Sequence, residues 1–350
     1  MNRQQKEAWV IQSSSLFRQG IIIHRQVSLI ICLILCFALC NTLLVNLKEK
    51  EVGELSNFSP RAQAEVAILL VAMIWGATFV VVKEALAEIG PFLFLGIRFV
   101  IAFFVLVLLS FHNIRQIKPA TLSAGCLLGF FLFIGYIFQT VGLQHTTASN
   151  AAFITGVSVV LVPIIYAAIS FRWPDFKTVL TGLLAVIGLF LMSVKSGTFV
   201  LAYGDILVLI CALGFALHVV FVARLSHHHN PVAITGVQIL FVGLVCLGIG
   251  IFVEPFPALW SANTITAIFI TAVFATALAF LIQNALQKYS NPSRFAIVLA
   301  SEPVFAALTG YLWANETFTI RTLTGAGLIL LAMLISILIR QPRNLVGTSH

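Results

Sequence analysis

The chain has 350 residues, of which 60% are hydrophobic and 9% charged, and a formal net charge of +8. A soluble globular chain carries about 25% charged residues, so water cannot solvate this one and lipid is the alternative solvent. Lys and Arg sit between apolar stretches and not in one patch, which suits membrane orientation and excludes a nucleic-acid face.

Residues 1–63 form an N-terminal extension. Within it, 27–47 is apolar enough to span a bilayer, with Arg18 and Arg25 before it and Lys48 and Lys50 after it. Cys32, Cys36 and Cys40 share one helix face and read as small packing residues. A spanning 27–47 would put its basic leading side outside, against the charge rule. It is therefore read as an extra N-terminal helix, an interfacial helix, a signal peptide or sequence ahead of a downstream start.

Ten apolar stretches follow, at about 66–86, 92–111, 121–143, 150–171, 177–194, 204–224, 232–253, 263–286, 292–313 and 321–340. Turn formers join them, among them Gly90-Pro91, Trp173-Pro174-Asp175, Asn230-Pro231 and Asn291-Pro292. No linker can host a soluble domain and there is no GxxxxGK[ST] phosphate loop, so a nucleotide-driven pump is not expected. Cys126, Cys211 and Cys246 lie in apolar segments without CxxC spacing, and His227-His228-His229 has no acidic or Cys companion. Neither a disulfide, a metal nor a cofactor is expected.

With the residue-66 end inside, the inner loops hold Arg115, Lys118, Arg172, Lys177, Arg224, Lys288 and Arg294, and the tail adds Arg340 and Arg343. The outer loops hold Lys83, Lys195 and Arg321. That bias puts both ends of the ten-helix core in the cytoplasm.

The chain also aligns with itself. At an offset of 140, Glu65 falls on Asp205, Gly90-Pro91 on Asn230-Pro231, Gly96 on Gly236 and Arg98 on Gln238. Near 143, Gly142-Leu143 falls on Ala285-Leu286 and Thr181-Gly182 on Thr324-Gly325. Pairing Pro163 with Pro303 leaves the first copy about one helical turn longer after Asn150, which predicts a longer or kinked helix. Five spans per copy is odd, so the second copy enters upside down. The expected fold is an all-α integral membrane protein: a first repeat over 64–200, an inverted second repeat over 201–341 and a cytoplasmic tail over 342–350. Inverted repeats are a recurring build of secondary transporters, with the solute site near the midplane.

Further motifs are Trp75-Gly76-Ala77-Thr78-Phe79, Pro91 followed by Arg98, and Ala148-Ser149-Asn150. The second copy has Gly204-Asp205, Ser301-Glu302-Pro303-Val304, Glu316 and Gly325-Ala326. With these, about residues 64–340 resemble the drug/metabolite transporter superfamily, specifically the EamA-type permeases. The resemblance implies a ten-helix inner-membrane carrier, commonly an exporter of metabolites or amino acids, and no particular substrate. One departure is Val162-Pro163, where the second copy has Glu302-Pro303.

Glu302 lies near the middle of the ninth span, where a charge costs about 2.5 kcal/mol or more, so contact with solute or a coupling proton is the default reading. Arg98 can bind a carboxylate with two nitrogens, snorkel outward or hold a helix pair. His218 can relay protons with Glu302 or pack between helices. Trp75, Tyr136, Gln139, Gln283 and Asn284 can line a cavity or pack between helices. No clustered nucleophile, base or metal ligand points to an enzyme. The expectation is a secondary transporter of a small amino-acid-like or drug-like solute, working by efflux and drawing on protons. Its partners are the solute and the bilayer, and a homodimer is compatible. Import, exchange or a non-transporting scaffold or sensor are the alternatives, and the short loops give a scaffold little surface.

Overall fold

The computed structural model describes residues 60–115, 117–171, 173–193, 202–256, 259–313 and 319–338. The apolar segment 27–47, the tail and residues Arg172, Lys195, Glu316, Arg340 and Arg343 lie outside the described residues. Every described element is helical. In the first half α1 is Pro60–Ala85, α2 Pro91–Arg115, α3 Pro119–His145, α4 Ala148–Gly156, α5 Ser158–Ser170 and α6 Phe176–Ser193. In the second half α7 is Tyr203–Leu225, α8 Pro231–Val253, α9 Ala262–Ala272, α10 Ala279–Leu286, α11 Pro292–Leu299, α12 Glu302–Trp313 and α13 Ile320–Leu338. A π-helical stretch, Val273–Leu278, joins α9 to α10.

Among the described residues, eight helical segments are long and apolar enough to cross a membrane. The expected spans at 177–194 and 321–340 appear as the shorter apolar helices Phe176–Met192 and Ile320–Ser336.

Local chemistry starts these helices. Proline opens α1, α2, α3, α8 and α11, at the position where its missing N–H costs nothing. Asn230 and Asn291 cap α8 and α11 through their side-chain oxygens. Helix α2 is capped from afar: the Glu254 carboxylate accepts from Phe92 N at 2.9 Å and Leu93 N at 2.8 Å. This carboxylate meets two orphan donors and the positive helix end together.

Two of the expected spans are continuous helical paths with a local break, where Val157 and Ala300 keep right-handed angles but the regular hydrogen-bond ladder is interrupted. The segment 150–171 breaks at Val157, between α4 and α5. The segment 292–313 breaks at Ala300 and Ser301, between α11 and α12. These breaks correct the pairing of Pro163 with Pro303. Pro163 sits inside the continuous helix α5, whereas Pro303 sits in the first turn of α12. Matching break to break keeps the offset near 143 through the later helices, needs no inserted turn there, and sets Glu302 opposite Val159.

Packing interleaves the halves. Helix α1 runs along α12, α7 along α3 and α5, α2 along α8, and α6 along α13. The α6–α13 crossing depends on two small residues. A Cβ on Gly188 would lie 2.6 Å from Gly325 O, and one on Gly325 would lie 2.4 Å from Gly188 O. Lipid gives no hydrophobic drive between helices, so such close backbone contact is what holds them together.

The loop placement of Arg294 also needs correcting. It lies in the first turn of α11, is 2% exposed, and pairs with Glu65 of α1 at 3.2 Å. At the opposite end of the helices Asp205 accepts from Thr146 Oγ1 at 2.6 Å and from Ala202 N at 3.1 Å. Lys83 donates to the Thr146 carbonyl there. In the turn after α1, Glu88 accepts from Thr264 Oγ1 at 2.6 Å and Ser261 N at 3.2 Å. Those donors hold its carboxyl below the usual range of 4.5.

Candidate functional site

Both helix breaks open onto one cavity. Thr155, Gly156 and Ser158 line it from the first break, and Leu299, Ala300 and Glu302 from the second. The breaks lie close together, since a Cβ on Gly156 would stand 3.5 Å from Pro303 Cγ. Sequence chemistry keeps the second break open. Pro303 has no N–H to extend the helix backwards. The Ser301 hydroxyl donates to Val298 O at 2.7 Å, and Val304 N donates to Ser301 O at 3.0 Å. Helix α12 therefore starts afresh at Glu302, with its first turn at the cavity wall.

Seven of the eight candidates from the sequence line this cavity: Trp75, Arg98, Tyr136, Gln139, His218, Gln283 and Glu302. Asn284 does not. Its Nδ2 donates back to Phe280 O at 2.8 Å, so it braces its own helix. Glu302 is partly exposed and has no hydrogen bond or ion pair among the described residues.

Arg98 does not snorkel. It is 3% exposed and is held by the π-helical stretch. Its Nε donates to Thr276 Oγ1 at 2.7 Å and its NH2 reaches Ala275 O at 3.5 Å. Its guanidinium carbon stands 5.0 Å from the Tyr136 ring centroid and 5.5 Å from that of Phe99. Trp75 Nε1 donates to the same Ala275 carbonyl at 2.8 Å. A π-turn shifts carbonyls out of the regular ladder, and here they anchor two cavity side chains from α1 and α2. Thr276 Oγ1 in turn donates to Thr271 O at 2.9 Å.

His218 Nε2 is 2.9 Å from Gln238 Oε1, so Gln238, and not Glu302, is the hydrogen-bond partner at that nitrogen. Gln139 Nε2 donates to Thr155 Oγ1 at 3.1 Å, tying α3 to the first break. Gln283 Nε2 lies 3.4 Å from Gln287 Oε1, and Gln287 Nε2 donates at close range to Val219 O.

Rings supply much of the wall. Trp75 and Phe280 have centroids 5.4 Å apart, Tyr136 and Phe215 5.2 Å, and Tyr136 and Phe280 6.0 Å. Sequence reasoning left out Phe215, Phe280, Thr276 and the first-break residues. The offset of 140 lays Trp75 on Phe215 and Thr78 on His218, and all four line the cavity, so the self-alignment did carry a signal for Phe215. Gly156 stands beside Val157 as a weak mark of the first break, while the π-stretch holds no Gly or Pro.

The model of the EamA-like transporter family matches this chain twice, over residues 63–194 and 202–338. The chain belongs to that family. The resemblance carried by the Trp75–Phe79 and Ser301–Val304 motifs is thereby borne out. It is 39% identical to an uncharacterised transporter of Archaeoglobus fulgidus over 277 residues, covering 79% of this chain and 86% of that one. It is 26% identical to the uncharacterised transporter YoaV of Bacillus subtilis, covering 75% and 93%. It is 27% identical to a chloroplastic WAT1-related protein of Arabidopsis thaliana, covering 74% and 66%. One crystal structure superposes with a TM-score of 0.65 at 16% identity, covering 79% of this chain and 96% of that chain, which speaks to fold alone. As an EamA-like chain, the protein is an integral multi-pass membrane protein of a transporter family.

Proposed function

We propose that this EamA-like protein is a secondary transporter that carries a small solute by alternating access, with ten membrane helices in two inverted halves. The observation that carries this reading is the pair of helix breaks, one from each half, on one cavity that also holds Glu302. Broken helices at matching positions of two halves expose backbone and polar side chains where a solute can be held inside the bilayer.

Orientation follows from the loop charges, with both ends of the ten-helix core inside an inner membrane. The cavity lining reaches Val82 near the Ala85 end of α1 and Leu143 near the His145 end of α3. Those ends are outside on this reading, so the described form is open outward. Its inner end is sealed by Ile68, Val71, Ile282, Leu286 and Phe295 and by the Glu65–Arg294 pair. Inward opening separates that pair, while the outer contacts around Asp205 tighten. Glu302 takes up the coupling proton, and the net direction is efflux.

Untargeted metabolite profiling of cells with and without the protein tests this function. One solute class should fall inside cells and rise in the medium when the protein is present. Indistinguishable profiles under induced expression would count against transport. Glu302→Gln should make flux of the solute found insensitive to an imposed pH gradient.

A further inference from the structure

Three cavity groups other than Tyr136 bear charge or titrate, and they differ in availability. Arg98 is buried, spent on Thr276 and Ala275, and covered by the Tyr136 ring. His218 is 2% exposed, with its Nε2 on Gln238. Glu302 faces the cavity without a partner among the described residues. Arg98 keeps its positive charge at the wall, and of the three side chains Glu302 is the one without a hydrogen-bond partner among the described residues.

The walls point the same way. Trp75, Tyr136, Phe215 and Phe280 come from α1, α3, α7 and α10 and stand edge-on or tilted to each other. Ring faces carry negative potential and attract cations, the more so out of water. The Trp75 N–H already serves Ala275 O, so that ring offers mainly its faces and edges.

We infer that the cavity takes a solute with a positively charged amine set against Glu302 and a flat or apolar body among these four rings, and that it requires no carboxylate on that solute. A solute carboxylate would need the Arg98 guanidinium, which is 3% exposed, with Nε on Thr276, NH2 toward Ala275 O and the Tyr136 ring against it. An anion near Glu302 meets like-charge repulsion in a low dielectric. An amine meets an unpaired carboxylate and several ring faces at once. That the bound molecule is cargo rests on the transporter reading above; the binding chemistry does not.

The test uses the purified full chain in lipid nanodiscs, titrated calorimetrically with four probes that share a phenylalkyl body. They are phenethylamine, the zwitterion phenylalanine, the anion phenylpropionate and the neutral phenylethanol. Phenethylamine should bind at least as tightly as phenylalanine, and roughly tenfold or more tighter than phenylpropionate. Glu302→Gln should weaken phenethylamine by roughly tenfold or more and leave phenylethanol binding in place, which shows an intact cavity. Glu302→Asp should keep the preference for the amine. Lack of phenethylamine binding overturns the inference. So does unchanged amine affinity in Glu302→Gln, or phenylalanine binding tenfold tighter than the amine and losing that margin in Arg98→Lys. Glu302-dependent amine binding without flux in proteoliposomes would sink the transporter reading and leave this site standing. Flux without Glu302-dependent amine binding would do the reverse.

Discussion

Replacing Gly76 with alanine puts a methyl carbon 2.4 Å from Glu302 O, 2.8 Å from Phe305 Cβ and 2.9 Å from Ala306 N. Two of those three atoms are backbone, so no side-chain rotation relieves the clash. Ordinary contact begins near 3.4 Å, so the first turn of α12 must move by about 1 Å. Overpacking of this kind costs about 1–3 kcal/mol. A shift of that size also moves Glu302 relative to the cavity, and positioning errors near 1 Å weaken a site strongly. Gly76→Ala should lower the melting temperature in detergent and reduce solute flux in proteoliposomes. Gly327→Ala is the control, because nothing lies within 4 Å of its Cβ position. If Gly76→Ala matched wild type in both melting and flux, the close approach of α1 to α12 would be refuted as the device that positions Glu302.

Arg294→Ala leaves Glu65 buried without its ion-pair partner, at a cost of about 3–5 kcal/mol. It should lower thermal stability and make a cysteine placed at Val71 more reactive to inside reagent, read by mass-tag labelling. Thr276→Val removes the acceptor for Arg98 Nε and should cost about 1–3 kcal/mol in thermal unfolding, with Thr276→Ser restoring most of it. The Glu88 carboxyl is depressed by its bonds to Thr264 and Ser261. Its stabilisation is therefore fully present above the ordinary value of 4.5 and fades as pH falls through the lower folded value. Glu88→Gln should melt below wild type at neutral pH, with the gap closing in acid; a gap constant with pH would contradict the assignment.

Much of the site was legible because polar groups inside apolar spans are costly and so few. Trp75, Arg98, Tyr136, Gln139, His218, Gln283 and Glu302 are read that way, and the fold gathers them around one space. Asn284 fails for a geometric reason. Neighbours on a helix point about 100° apart, so Gln283 and Asn284 do not share the cavity face. The roles of the basic residues were less legible. Loop counting treats Arg294 as a charge in water, and only tertiary contact reveals Glu65 beside it. The second break is foreshadowed by Pro303, while the first occurs at Val157, ahead of a Pro163 that the helix absorbs. Pairing those prolines by type misplaced the register, which the positions of the breaks restore. The π-stretch at Val273–Leu278 leaves no trace in hydropathy, because its role lies in where its carbonyls point.

The central claim is that solute passes through the cavity between the two breaks. The direct measurement is flux of the solute class found by metabolite profiling, in proteoliposomes holding wild type or Ser158→Trp, whose indole fills the space beside the first break. Wild type should give saturable flux that responds to a pH gradient, and Ser158→Trp, if it melts like wild type, should give none. Equal flux from both proteins would contradict the account.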